Sequence, residues 1–194
     1  GQRRPLTVNK IIVGKKNWQN YIRNQLKKQQ SKPVAGSSDY FVYPININWP
    51  IPSFAVGKLY WDRWFFYYAK LKKIPVINAT SSITAIHQQH YQNESMHGDQ
   101  GLSLTYEAKR NLALIGGKLF CLSIFDADYY LTNKSLDHVK ITLNYIIRKL
   151  EVDLILASKK YFFLFPILWI TELGRVIVTN INKYLKKFRY FNVQ

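Results

Sequence analysis

Between residues 54 and 90 the chain reads FAVGKLYWDRWFFYYAKLKKIPVINATSSITAIHQQH. A glycine-containing turn delivers one carboxylate, Asp62, between Trp61 and Trp64, and His87 and His90 follow after a further helix and strand. Three of the four histidines, His87, His90 and His97, fall within eleven residues. A carboxylate can take a proton from an attacking hydroxyl, and a neutral imidazole is a good ligand for a divalent metal. The same residue types have plainer uses. An Asp ahead of a helix commonly caps it by accepting a backbone N–H, and histidines three apart are often surface or satisfied core residues. Types and spacing alone leave both readings open.

The elements that must hold these groups can be read from periodicity and breakers. Residues 17–30 place Trp18, Tyr21, Ile22 and Leu26 on one face, which predicts a helix closed by Lys27 and Lys28. SKPVAGSS (31–38) is turn material, and DYFVYP (39–44) is dense in β-formers and predicts a short strand. Three prolines in 44–52 exclude regular structure there. WDRWFFYYAKLKK (61–73) predicts a buried helix, and IPVINAT (74–80) a buried strand. Residues 91–104 are polar and predict a loop; 107–117 predict a helix ending at a Gly-Gly cap. KLFCLSIF (118–125) predicts a strand with Asp126 and Asp128 at its end. From Ser135 an amphipathic helix is expected, with Leu136, Val139, Leu143, Ile146, Ile147 and Leu150 along one face. This alternation of helix and strand argues α/β.

Composition adds limits. With 47% hydrophobic and 15% aromatic residues, the 194-residue chain can build a core and is not a disordered one. A single cysteine, Cys121, excludes a disulfide within the chain and fits a reducing compartment, so the cytoplasm is the expected location. Cys121 lies in an apolar run and reads as core filler. The net charge of +17 sits at the two ends. Residues 1–32 hold nine Lys/Arg and no acid, and residues 159–194 hold seven with only Glu172, while the middle is close to neutral. Basic ends suit anionic lipid headgroups, nucleic acid or an acidic partner, and they are equally compatible with solvated lysines. The aromatics cluster in apolar runs instead of alternating with Lys/Arg, so nucleic acid is not an expected partner. Residues 161–171 are eleven uncharged residues interrupted by Pro166, too short to span a bilayer. Flanked by cations, they fit either an interfacial membrane helix on the cytoplasmic face or a helix covering the core.

Five segments in order carry a resemblance: DYFVY, PSFAVGKLYWDRW, PVINAT, HQQHYQ and EAKRNLALIGG. They are similar to D-Y-F-x-[FY], P-x-F-A-[IV]-G-R-x-x-W-D-N-W, P-V-I-D-A-T, H-Q-N-H-D-Y and E-x-x-x-N-x-x-L-A-G-G of a bacterial glycosyltransferase-like family, well represented in cyanobacteria. The resemblance covers about residues 36–132 and implies a nucleotide-sugar (GT-A type) fold. By motif position it implies Asp62 as the base for the acceptor hydroxyl. It implies Asp39, Lys58, Trp61, Arg63 and Trp64 on the substrate side, and His87 and His90 toward a divalent metal, Mn or Mg, on the nucleotide diphosphate. It implies that Asp62 and the histidines face a common cleft.

The departures are specific. Arg63 replaces the Asn of W-D-N-W, Lys58 replaces Arg, Asn78 replaces the Asp of I-D-A-T, and HQQHYQ lacks the acid of H-Q-N-H-D-Y. Only about 35 residues precede DYFVYP and none is acidic, so no D-x-D lies upstream; Asp126 and Asp128 form one in the wrong order. The chain also starts without Met. The expectation is therefore the acceptor-side half of a GT-A-like mixed sheet with flanking helices (1–134), followed by a helical, basic C-terminal extension (135–194). Such a half is split, truncated or decayed, and inactive or incomplete alone; if split, a second chain carries the nucleotide-binding half, and the nucleotide-sugar donor and sugar acceptor meet between them. The alternatives from the charge pattern are a non-catalytic membrane-surface module and, second, a nucleic-acid-binding protein.

Overall fold

The computed structural model describes residues 1–8, 16–88 and 105–161, and then positions 164, 166–168, 170, 177 and 180. The expected loop at 91–104 lies outside the described residues, and so do His90 and His97. The described chain is a mixed α/β fold with two small sheets. In chain order its elements are β1 (Arg3–Leu6), α1 (Trp18–Lys28), α2 (Trp61–Leu71), β2 (Ile77–Asn78), β3 (Ala85–Gln88), α3 (Tyr106–Ile115), two 3-10 turns (Lys118–Phe120 and Ile124–Asp126), β4 (Tyr129–Leu131), β5 (Leu136–His138) and α4 (Leu143–Ser158). β1 pairs in parallel with β3, and β2 pairs in parallel with β4, which closes an antiparallel hairpin with β5.

The core forms around α2. Trp64, Phe65, Phe66 and Tyr67 are buried, and Ile115, Leu122, Ile124, Val152, Ile155 and Leu168 pack against them from later in the chain. Aromatic contacts fix the arrangement: Phe41 stacks on Phe65 at 4.6 Å and Trp64 on Tyr68 at 4.7 Å. Such offset and edge-on pairs add about 0.5–1.5 kcal/mol each beyond their buried area. α1 follows its expected face, with Ile22 buried, and α3 begins at Thr105 and ends at Gly116, whose φ of 103° is the left-handed cap that its Gly-Gly sequence predicts.

Four expected elements differ. IPVINAT, expected as a buried strand, pairs only at Ile77–Asn78, with Ile77 exposed, and the Val76 N–H goes to the Asp128 carboxylate instead of a ladder. DYFVYP is not a strand: Val42 and Ile45 are exposed and the segment finds no ladder partner. Its hold on the core is Phe41, wedged among Trp61, Phe65 and Phe66, so ring packing replaces pairing. KLFCLSIF is two 3-10 turns, not a strand. Ser123 accepts from the Phe125 N–H while the Asp126 carboxylate accepts from the Ser123 N–H, a local capping box that outcompetes an extended ladder. Helix formation also does not start at Ser135. Thr132, Ser135 and Asp137 bond one another across a turn, Leu136–His138 becomes β5, and the helix waits for Thr142, whose hydroxyl accepts from the Tyr145 N–H.

α4 then packs in an unexpected orientation. Its apolar residues Leu143, Ile146 and Leu150 are exposed, while Glu151, Val152, Ile155 and Ser158 face inward. The reason is ionic. Arg148 donates from Nε to Asp126 at 2.6 Å and from Nη1 to Glu151 at 2.8 Å, and those two carboxylates are almost wholly buried. Burial disfavours the guanidinium charge, yet the bonds and charges of Asp126 and Glu151 outweigh it and raise the Arg148 pKa. Removing the cation would strand two buried anions. Arg148→Met is expected to cost about 3–5 kcal/mol in urea unfolding, and an unchanged midpoint would show that the triad contributes nothing to the fold.

One further buried side chain ties α3 to the approach of α2. Asn111 is fully buried. Its Oδ1 accepts from the Ala55 N–H at 2.9 Å, and its Nδ2 donates to the Ala55 and Leu59 carbonyls, each at 3.0 Å. Asn111→Ala removes all three bonds and leaves backbone groups without partners. The expected loss is about 2–4 kcal/mol by denaturant titration; a loss below about 1 kcal/mol would mean that the loop is held by something else.

Candidate functional site

Asp62 occupies the first turn of α2 and is not its cap; Tyr60 holds the cap position, with φ of 78°. The loop before it contains Lys58 and is pinned by Asn111, so the direction in which Asp62 leaves the helix is set from α3. The Asp62 side chain is only 16% exposed, and its nearest cation is Arg63, Nε to Oδ1 at 3.9 Å. Burial raises the Asp62 pKa; the Arg63 charge and two backbone N–H groups oppose this, and the Asp39 charge adds to it. The carboxyl is thus more basic than an ordinary aspartate.

Asp39 joins the two small parallel strands. The turn 31–38 is bonded to β1, with the Val34 N–H donating to the Arg3 carbonyl and the Arg3 N–H to the Ser37 hydroxyl, which brings Asp39 beside Arg3. On β3, His87 lies opposite Pro5. The Asp39 carboxylate consequently takes Arg3 Nη1 at 3.4 Å on one oxygen and His87 Nδ1 at 2.9 Å on the other. Asp39 is also the charge that reaches Asp62. The arrangement is a chain of groups: His87 to Asp39 by contact, Asp39 to Asp62 through space, Asp62 to Arg63.

The other predicted positions fall around or beneath this chain. Trp61 is half-buried, edge-on to Phe41 and Phe65. Trp64 is buried in the core, stacked on Tyr68. Lys58 is half-buried in the loop four residues before Asp62. Arg63 lies against Gly36, where an added Cβ would stand 3.5 Å from Nη2, and Gly36 has φ of 73°, a conformation that favours glycine. His90 is outside the described residues. Among the described residues no group of three or more His, Cys, Asp or Glu side chains converges as a metal site would. The side chains described therefore do not make up a divalent-metal site. Burial pushes the Cys121 thiol up to about 11, so it is not a nucleophile at neutral pH.

Two participants escape a residue-type search. Arg3 sits in an N-terminal segment that reads only as basic, and its place beside Asp39 depends on the turn 31–38 bonding to β1 more than thirty residues away. Asn111 is an ordinary polar residue in a helix; its signal is the N of EAKRNLALIGG, whose structural use appears only in three dimensions. Compared with protein families, curated proteins and solved structures, the chain matches none.

The raised Asp62 pKa has a consequence for stability. A carboxyl that binds its proton more tightly when folded destabilises the fold as pH rises from the unfolded value, 3.8, through the folded one. Asp62→Asn keeps the side-chain oxygen that accepts backbone N–H but cannot ionise. It is expected to be more stable than the native chain at pH 7, with the gain vanishing below about pH 4. Urea midpoints measured across this range test it; a variant less stable at pH 7 than at pH 4, relative to the native chain, would mean that the Arg63 attraction outweighs burial.

Proposed function

We propose that this chain is the acceptor-side portion of a nucleotide-sugar-dependent glycosyltransferase of the GT-A type. The observation that carries the reading is Asp62: a desolvated carboxylate of raised basicity in the first turn of an aromatic helix, beside Arg63 and within the electrostatic reach of Asp39, which itself holds His87. The five ordered segments that resemble a glycosyltransferase-like family supply the reaction class.

In this reading an acceptor hydroxyl lies against Asp62. Its oxygen attacks the anomeric carbon of the donor, its proton passes to the Asp62 carboxylate, and the bond to the nucleoside diphosphate breaks with the electron pair leaving on the diphosphate. A base of raised pKa holds that proton better than an ordinary aspartate does. Arg63 and Lys58 supply positive charge toward the departing diphosphate. Trp61 offers a ring edge to the sugar, whereas Trp64, buried, acts through packing. Asp39 fixes the His87 ring and Arg3 together. A divalent cation on the diphosphate would need ligands beyond the described side chains, and no step here runs through one.

The test is release of nucleoside diphosphate from a panel of UDP- and GDP-sugars by the full protein that contains this chain, purified with whatever stays bound to it. Release is expected, and Asp62→Asn should lower the rate by about 10²–10⁴-fold. No release, or release indifferent to Asp62→Asn, would overturn the transferase reading.

A further inference from the structure

Away from Asp62, a cavity of about 330 Å³ opens between the end of α2, β5 and α4. Lys70, Lys73, His138, Tyr145, Lys149 and Asp128 carry its polar chemistry. Asp128 is fully used: one carboxylate oxygen takes Lys70 Nζ and the other the Val76 N–H. Its charge therefore cancels that of Lys70. Lys73 and Lys149 have no acidic partner among the described residues. His138 adds a ring tilted against Tyr129, with centroids 4.7 Å apart, and Tyr145 a phenol. Two uncompensated ammonium groups with neutral donors beside them are complementary to a phosphate ester.

The same helix carries the exposed apolar stripe. Lys149 stands three residues from Ile146 and next to Leu150, so cation and stripe are neighbours on the α4 surface. Leu143, Ile146 and Leu150 are 61%, 45% and 54% exposed, and Ile141, just ahead of the helix, is 74% exposed. Two acids stand nearby. Asp137 on β5 is bonded to the Thr132 and Ser135 hydroxyls, and Asp153 lies one turn beyond Lys149. Both are short side chains that can stay in the aqueous layer. A soluble phosphate ester would use the cavity and leave the apolar stripe in water; a membrane uses both.

We propose that this face docks on an anionic phospholipid bilayer, with a lipid phosphate in the cavity between Lys73 and Lys149 and the Leu143–Ile146–Leu150 stripe at the acyl boundary. Among the described residues no helix is long and apolar enough to cross a membrane, so the contact is peripheral. It is independent of the sugar-transfer reading, because it uses none of Asp39, Asp62, Arg63 or His87.

Co-sedimentation of the full chain with phosphatidylcholine vesicles, and with vesicles containing about one-third phosphatidylglycerol, tests it. Binding is expected only to the anionic vesicles and should weaken with salt. Lys73→Glu with Lys149→Glu should lower partitioning about tenfold or more. Lys27→Glu with Lys28→Glu on α1, the same change in net charge, should lower it clearly less. Ile146→Ser with Leu150→Ser should weaken vesicle binding while leaving titration with glycerol 3-phosphate unchanged. Circular dichroism confirms that each variant is folded. Equal loss from the two lysine pairs would make the attraction general charge and overturn the site. Vesicle binding indifferent to the serine pair would assign the cavity to a soluble phosphate ester. A concentration-dependent dimer abolished by the serine pair, without vesicle binding, would assign the stripe to a second copy of the chain.

Discussion

The carboxamide of Asn111 is the contact on which the positioning of the site depends. It is fully buried and bonds only to main chain, at Ala55 and Leu59. Those residues belong to an irregular segment with no ladder of its own, so its backbone groups need partners from elsewhere. A neighbouring helix supplies them through one side chain. The segment delivers the chain to α2, and the azimuth of α2 decides that Asp62 lies largely buried beside Arg63 while Trp64, Phe65 and Tyr67 face the core. An apolar residue at 111 would still pack, but would leave the loop's N–H and carbonyl groups unmatched.

Two ionic arrangements in this chain show opposite uses of burial. At Arg148 the cation is held by two anions through two short donations, of 2.6 and 2.8 Å, and a longer one of 3.3 Å, so burial is compensated and the group stays charged. At Asp62 the single cation is 3.9 Å away and the second carboxylate, Asp39, repels. Burial wins there and the carboxyl becomes a better base. The first arrangement specifies packing: it turns α4 so that a charged face is inside. The second stores a cost in the fold, of the kind that active sites carry.

The orientation of α4 links these two themes. A helix with Leu143, Ile146, Ile147 and Leu150 on one side would ordinarily bury that side. Here Arg148, Glu151, Val152 and Ile155 go inward because Asp126, anchored by the capping box at Ser123, already waits there with a buried carboxylate. The displaced apolar stripe is left facing out beside Lys149 and the cationic cavity. A surface that is costly in water and basic at its edge is suited to a lipid interface.

Elements whose cause is local were legible in the residues. The α2 core followed from its apolar run, α1 from its spacing and the end of α3 from its Gly-Gly cap, each encoded within about a dozen neighbouring positions, while the Thr105 cap that starts α3 emerged only in the structure. Asp62 stood out as the lone acid in an aromatic helix. What depended on distant partners was not legible. The β-rich DYFVYP stays irregular because Phe41 finds rings instead of a strand, and KLFCLSIF turns because Ser123 and Asp126 satisfy its backbone locally. The resemblance nominated Asp39 and residue type His87; Asp39 meets Arg3 because the turn 31–38 bonds to β1, and His87 because β3 pairs with β1. Periodicity set which residues of α4 form an apolar stripe; it could not decide which side faces in. That choice was made by Asp126, a carboxylate costly to bury without a partner: Arg148 on α4 reaches it only with the stripe turned to the surface, and Glu151, three residues along the same helix, is buried with it.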